Sequence, residues 1–370
     1  MQATRDPRAG NGRDGDGAER ISVHVAVLGV GLIGGSVALA ARRQDGVRVT
    51  GWDASPDALE RALAAGVIDD TVPDVASLAG QGVDVCVVAV PLGALAATVA
   101  AACAATAQEE AIVTDVGSTK LALVTGVPAA TYIGGHPLAG AETSGVEHAR
   151  GDLFDGATWY LTPSPESSGF LFERLRRFVA SLGAVPVAID AGAHDRLMAA
   201  VSHLPHVLAN IMVQQAAAAL GGETLPATGP SFRDATRVAG ANPLLWGQIY
   251  SANAAALADQ IDATIAALQD VRGRLHDLEA WQAEVSGLRR ALLEVGLDGG
   301  PQQELRVSVP NVPGVVADLA VTLGHAGINI SDMSLAPSQD RQSGVVGVWV
   351  AAADADRARH LITAKDLPVT

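Results

Sequence analysis

Val25-Ala26-Val27-Leu28-Gly29-Val30-Gly31-Leu32-Ile33-Gly34-Gly35-Ser36 is the stretch that decides the architecture. Its four leading apolar residues read as a strand buried on both faces, and helical spacing follows the glycines through Ser36–Arg42. In a Gly-x-Gly-x-x-Gly spacing, Gly29 allows the tight turn, Gly31 lets a pyrophosphate approach the backbone, and Gly34 lets helix pack on strand. Leu32 and Ile33 open the helix, whose positive dipole end then faces the phosphates. A second strand, 47–52, runs into Asp53, 22 residues beyond Gly31. A carboxylate there accepts hydrogen bonds from the adenosine ribose and repels a 2′-phosphate, which favours NAD over NADP. Arg42, Arg43 and Arg48 lie nearby in sequence, but none directly follows Asp53. Val90-Pro91 closes a third strand where a dinucleotide lies.

Working outward, strands at 23–28, 47–52, 84–90 and 111–116 alternate with helix-length segments, the signature of an α/β, doubly wound parallel sheet of Rossmann type over residues 21–190. Near Gly192 the texture changes to alanine-rich helix at 193–220, 231–240 and 243–295, which gives an all-α domain over 191–296. Asn242-Pro243 reads as an N-cap with proline at the first helical position. Residues 297–303 are a linker. The remainder, 304–370, reads as a small ferredoxin-like βαββαβ module: strands at 305–309, 328–330 and 345–351, helices at 315–325 and 355–362, and a last strand at 367–370. Residues 1–20 form a polar tail with no apolar segment of the kind a signal peptide requires.

Composition narrows the function. A net charge of −15, from 25 basic and 40 acidic residues, argues against nucleic acid or an anionic membrane as partner. Cys86 and Cys103 sit in apolar surroundings, and the nine histidines show no metal-ligand spacing, so no metal and no disulfide framework is expected. The uncharged run Val85–Gln108 is broken by Pro91 and Gly93 and reads as strand plus helix, not a membrane span. These features imply a cytoplasmic protein.

Gly134-Gly135-His136-Pro137-Leu138-Ala139-Gly140-Ala141-Glu142 follows an expected core strand, Thr131-Tyr132-Ile133, and puts His136 on a tight turn. A neutral imidazole beside a nicotinamide ring can take a hydroxyl proton as hydride leaves the same carbon. Asp115-Val116-Gly117-Ser118-Thr119-Lys120 ends the fourth strand and brings Ser118 to the sheet's carboxyl edge, where such sheets bind ligands. Asp195, Ser202 and His206, at i, i+7 and i+11, share one helical face, with His203 about 100° away. Pro205 is expected to kink that helix. Phe232-Arg233-Asp234-Ala235-Thr236-Arg237 ends nine residues before Trp246.

In that order, the glycine loop, Asp115–Lys120, Gly134–Glu142, Ser202–His206 and Phe232–Arg237 with Trp246 resemble the prephenate dehydrogenase (TyrA) family over residues 22–295. The resemblance implies NAD-dependent oxidative decarboxylation of prephenate to 4-hydroxyphenylpyruvate by a homodimer joined through its helical domains, in tyrosine biosynthesis. It implies that His136 accepts the ring-hydroxyl proton and Ser118 orients it. By the same resemblance Arg237 binds a substrate carboxylate, His206 and Ser202 lie near the side chain, Glu142 lines the site, and Trp246 and Asp195 support it. Gly229-Pro230-Ser231 departs from the Gly-Gly turn expected before Phe232. The C-terminal stretches Val309–Val315 and Gly324–Ile330 resemble an ACT domain, which implies an effector site around Asn311, Gly314 and Asn329, with tyrosine the obvious ligand. An arogenate or dual-specificity cyclohexadienyl dehydrogenase shares the site. A 3-hydroxy acid dehydrogenase shares the two-domain plan but does not explain Ser202–His206 or the Arg237 segment. A non-catalytic sensor of NAD and amino acids needs no His136, Ser118 and Arg237 together.

Overall fold

The computed structural model describes residues 23–370, apart from 110, 128, 141–142, 165, 168, 220, 222–227, 295–301, 311–314, 316–318, 320–321, 324–325, 327, 329 and 339–342. By its contacts the chain divides into one unit of residues 1–225 with 235–262 and another of 226–234 with 263–370.

The first unit is built on five parallel strands in the order β3-β2-β1-β4-β5: β1 (Val23–Leu28), β2 (Val47–Trp52), β3 (Asp70–Thr71), β4 (Val85–Val88) and β5 (Ile112–Asp115). Strand order reverses between β1 and β4, the switch point where the loops diverge and leave a crevice. Alternation along β1 feeds two cores. Val25 and Val27 pack with Phe154, Trp159 and Leu175 on one face, while Ala26 and Leu28 pack with Leu78, Leu95 and Val99 on the other. Helices α1 (Leu32–Ala41), α2 (Pro56–Ala64), α3 (Leu92–Ala105) and α4 (Leu121–Gly126) follow their strands.

After β5 the chain makes a single parallel bridge, Tyr132 to Val113, and then enters a second sheet, β6 (Gly134–Pro137), β7 (Thr158–Thr162) and β8 (Val185–Ala188), with α5 (Gly169–Ser181) between the last two. Here the structure corrects the sequence reading. Residues 131–133 are not the strand, and His136 is not on a turn. It lies within β6, opposite Tyr160 of β7. The two glycines make this strand possible, because β6 runs flush against its neighbours. A Cβ on Gly135 would strike the Asp115 carbonyl and come within 2.8 Å of Thr114 Oγ1 and 2.9 Å of Trp159 Nε1.

Helix α6 (Ala191–Met198) passes through a π-helical turn, Ala199–His203, into α7 (Leu204–Ala219). Pro205 lacks the amide an α-helix would use, and the wide turn immediately before it absorbs the fault. The expected kink is therefore a local widening. After α8 (Pro230–Thr236) and a 3₁₀ turn, Arg237–Gly240, Asn242 caps α9 (Pro243–Ala252), its Oδ1 accepting from the amides of Leu244 (3.0 Å) and Leu245 (3.3 Å). Helix α10 (Ala254–Gly273) follows.

In the second unit, α11 (Glu279–Glu294) precedes a three-stranded antiparallel sheet, β10-β11-β9, of β9 (Gln302–Pro310), β10 (Ile330–Pro337) and β11 (Ser343–Ala351). Leu305, Val307 and Val309 alternate into a core with Val346, Val348 and Val350, closed by α12 (Ala355–Thr363). The last residues bridge back to β9 through Val369 and Val307, as the sequence suggested.

Candidate active site

A cavity of about 740 Å³ opens at the switch point between β1 and β4. Gly29, Gly31, Leu32, Ile33, Asp53, Val90, Pro91, Ser118 and His136 all line it. The glycines divide their work as the sequence implied. Gly29 has φ +97°, and a Cβ there would lie 2.5 Å from the Ala89 carbonyl. Gly34 is packed onto the Gly29 carbonyl and does not line the cavity. At Gly31 a Cβ would meet nothing within 4 Å, so this backbone faces open space. Asp53 is pinned in place, with Oδ2 accepting from the Val30 amide and Oδ1 from the Ser55 amide, both at 2.9 Å. The loop and the carboxylate that would hold a ribose are thus one hydrogen-bonded unit. These features fit NAD: an open glycine backbone at a helix start beside a fixed carboxylate.

The opposite wall is organised by Asp115 at the end of β5. Its Oδ1 accepts from Tyr132 Oη at 2.8 Å and the Gly135 amide at 3.0 Å. Its Oδ2 accepts from the Gly117 amide at 2.8 Å and pairs with the Lys120 ammonium. Both side chains of the pair are fully buried, an arrangement tolerated only when the remaining lone pairs are used, as they are here. The cluster ties the Ser118 loop to β6 and so sets Ser118 relative to His136.

His136 is only 9 % exposed. Its Nδ1 lies 2.9 Å from His194 Nε2, and His194 Nδ1 lies 2.8 Å from Asp195 Oδ1. Burial, reinforced by the nearby Lys120 charge, pushes the His136 pKa well below the ordinary histidine value, so the ring is neutral at working pH. Burial acts to raise the Asp195 pKa, but His194 and the amides of Leu121 and Lys120 outweigh it, and the carboxyl sits below its usual range.

A second, smaller cavity of about 240 Å³ is lined by His206 and Trp246, whose rings stack at 3.4 Å between centroids and 22° between planes. Helix α9 serves both cavities, with Leu245 and Ile249 on the larger and Trp246 on the smaller. Arg237 opens the 3₁₀ turn beside it. His206 has a lowered pKa, first through burial and in part through the Arg237 charge, but Arg237 itself lines neither cavity. Ser202 lines neither cavity; its carbonyl accepts from His206 Nδ1 at 3.1 Å.

Asp195 requires a correction. It does not line either cavity and is 4 % exposed, with its carboxylate committed to the amides of Lys120 and Leu121 and to His194. The extra residue of the π turn breaks the i, i+7, i+11 alignment, so Asp195 faces the α4 N-terminus while His206 faces the small cavity. Glu142, Asn311, Gly314 and Asn329 lie outside the described residues. Sequence reasoning missed His194, the Asp115–Lys120 pair and Asn253, whose amide nitrogen donates to the Asp195 carbonyl at 2.8 Å and sits 3.1 Å from His203 Nδ1. A signal for Lys120 did exist, since it is one of only two lysines in the chain.

Comparison with known proteins adds to this geometry. Residues 37–188 match the family model "Prephenate dehydrogenase, nucleotide-binding domain", 190–292 match "Prephenate dehydrogenase, dimerization domain", and 304–364 match "ACT domain". The probable prephenate dehydrogenase NovF of Streptomyces niveus is 30 % identical over 365 residues, covering 92 % of this chain and 98 % of that protein. The chain belongs to the prephenate dehydrogenase family. A cyclohexadienyl dehydrogenase of Zymomonas mobilis is 32 % identical over 257 residues, 67 % of this chain and 87 % of that one. Among solved structures, prephenate dehydrogenase from Aquifex aeolicus, in complex with hydroxyphenyl propionate and NAD+, superimposes with a TM-score of 0.64 at 26 % identity, covering 74 % of this chain and 97 % of that one. The protein is thus an NAD-dependent dehydrogenase of aromatic amino acid biosynthesis: a Rossmann-like parallel sheet, a dimerisation-type helical domain and an ACT domain.

Proposed function

We propose that this prephenate dehydrogenase family member oxidises and decarboxylates prephenate, with His136 as the base. The observation that carries the reading is that His136 and Ser118 line the same cavity as Gly31 and Asp53. Bound NAD supplies the hydride acceptor. The neutral His136 imidazole takes the ring-hydroxyl proton, and Ser118 orients that hydroxyl. Loss of carbon dioxide aromatises the oxidised ring, so what this chain's residues must do is position the substrate, take its hydroxyl proton and hold it in line. Arg237, with His206 and Trp246, binds the carboxylate end, where a guanidinium can form paired hydrogen bonds. Lys120 and Asp115 hold the two catalytic segments together.

The deciding experiment is a rate assay offering prephenate and arogenate, each with NAD and NADP. Prephenate with NAD is expected to be fastest, because Asp53 repels a 2′-phosphate. Faster turnover of arogenate would move the assignment to the cyclohexadienyl reading that the Zymomonas relative favours. In the same assay His136→Asn is expected to lower kcat by roughly 10²–10⁴ with NAD affinity unchanged; near-normal turnover would remove His136 from the mechanism.

Two partners complete the proposal. Val201 in the π turn, Ile211, Met212 and Val213 on α7, and Leu244 on α9, the last 79 % accessible, are exposed apolar side chains that suit burial by a second copy of the chain. By length and composition alone, Ala191–Ala219 also passes for a membrane-crossing helix, but its buried His194, Asp195 and His203 fit a protein site. Sedimentation is expected to show a dimer. Tyrosine is the proposed effector of the ACT domain, and equilibrium dialysis with the full chain tests it: no binding and no change in rate would leave that domain an assembly role.

A further inference from the structure

Behind His136 lies a chain of buried groups whose donor and acceptor roles can be deduced from one end. Asp195 is the fixed end. As a carboxylate it can only accept, and it does so from Lys120 N (2.8 Å) and His194 Nδ1 (2.8 Å) at Oδ1 and from Leu121 N (2.9 Å) at Oδ2. His194 Nδ1 must therefore carry a proton. Full burial disfavours a second proton on His194, so with Nδ1–H committed to Asp195 its Nε2 offers only a lone pair, and the atom 2.9 Å from it is His136 Nδ1. His136 must donate there, which leaves its own Nε2 bare.

We infer that His194 and Asp195 are positioning residues that fix the tautomer of His136, with its proton on Nδ1 and its lone pair on Nε2 toward the cavity. The inference rests on the reading of His136 as the base, since only a bare nitrogen can take the substrate proton. The packing supports a device of this kind. His194 is fully buried, meets His136 edge-on at 5.1 Å between centroids and 74°, and is held from the other side by Tyr160 at 5.6 Å and 78°. Asn253 fixes the backbone of the same segment through the Asp195 carbonyl. The Asp195 carboxylate also caps α4, directly after the Ser118 loop, so one side chain sets both the base and the hydroxyl that works with it. When His136 takes the substrate proton, its Nδ1–H···Nε2 bond strengthens against the carboxylate beyond, which stabilises the imidazolium without moving any heavy atom.

Two measurements test this on the full chain. Long-range ¹H–¹⁵N correlation on protein labelled at its histidine ring nitrogens, with His136 assigned by its loss in His136→Asn, is expected to show a protonated Nδ1 and a bare Nε2 at neutral pH. The opposite tautomer overturns the inference. The readout does not depend on turnover, so an active His136→Asn would sink the base assignment while leaving the tautomer result standing. In the second measurement, His194→Phe removes the acceptor and is expected to lower kcat roughly 10²-fold with KM for prephenate little changed. His194→Gln, whose amide oxygen can still accept from Nδ1, is expected to recover most of that loss. Equal loss in both variants, or normal kcat in His194→Phe, would show that the acceptor at this position is not what matters.

Discussion

Lys120 is a fully buried ammonium whose ion-pair partner is the equally buried Asp115. Burial lowers its pKa and Asp115 pulls it back, so the pair holds together because each charge needs the other. Lys120→Met would leave the Asp115 carboxylate with its donors from Tyr132, Gly135 and Gly117 but without the cation. Loss of one partner from such a pair costs about 3–5 kcal/mol, so the variant is expected to unfold at clearly lower urea concentration. Asp115→Asn combined with Lys120→Met is expected to recover part of the loss, because no net charge then remains buried. Urea titrations of both variants check this, and a single variant as stable as the parent would show that the pair does not hold the loop. The sequence named the segment Asp115–Lys120 but gave its emphasis to Ser118. Nothing in the spacing reveals that its charged ends meet each other, because the pairing depends on a loop that doubles back.

At the scale of elements, sequence reading succeeded where periodicity and glycine chemistry coincide. Strands β1, β2 and β9, the helix after Gly31, the Asn242 cap and the α12 helix were all legible, since each has a local signal that packing reinforces. The second sheet was not. Strand β6 is four residues, Gly-Gly-His-Pro, with no β-forming residue among them, and its pairing with β7 twenty-odd positions away is set by tertiary contact. The π turn was equally hidden: Pro205 announced a disturbance, but not that an added residue would rotate Asp195 away from His206. For the site, the cavity-lining set around Gly29–Asp53, Ser118 and His136 was readable from motifs, whereas the buried residues behind it were not. The tight seat of β6 has a consequence. Gly135→Ala would place a methyl against the Asp115 carbonyl and Trp159, with no flexible neighbour to give way. Overpacking of this sort costs about 1–3 kcal/mol, and displacement of the adjacent His136 is expected to lower kcat as well. Parallel urea unfolding and rate measurements check it; a stable, fully active alanine variant would mean that β6 can shift at little cost.

Across the whole molecule, buried histidines decide how the protein responds to mild acid. Burial lowers His136 well below its ordinary value and takes His203 down to about 4, while the unfolded chain binds protons at each with a pKa of about 6.5. Between those limits the unfolded state carries more protons than the native one, so stability rises with pH and falls as pH drops through 6.5. Each fully responsive group contributes a slope approaching about 1.4 kcal/mol per pH unit. An opposing effect exists, since a chain of net charge −15 gains from losing negative charge. Carboxylates with pKa values near 4 stay ionised above pH 5.5, however, so relief of repulsion arrives only below the window in which the histidines act. The lowered pKa of Asp195 belongs to that lower range too: its contribution is present at neutral pH and is lost only as pH falls through its own depressed value. Stability is therefore expected to be greatest above pH 7 and to decline between pH 6.5 and 5.5. Urea midpoints of the NAD-free protein at pH 7.5, 6.5 and 5.5 measure it, and His203→Gln, which cannot take up the proton in either state, should flatten the slope. A midpoint that holds steady or climbs toward pH 5.5 would mean that charge repulsion, not the neutral histidine cluster behind the active site, governs the acid response.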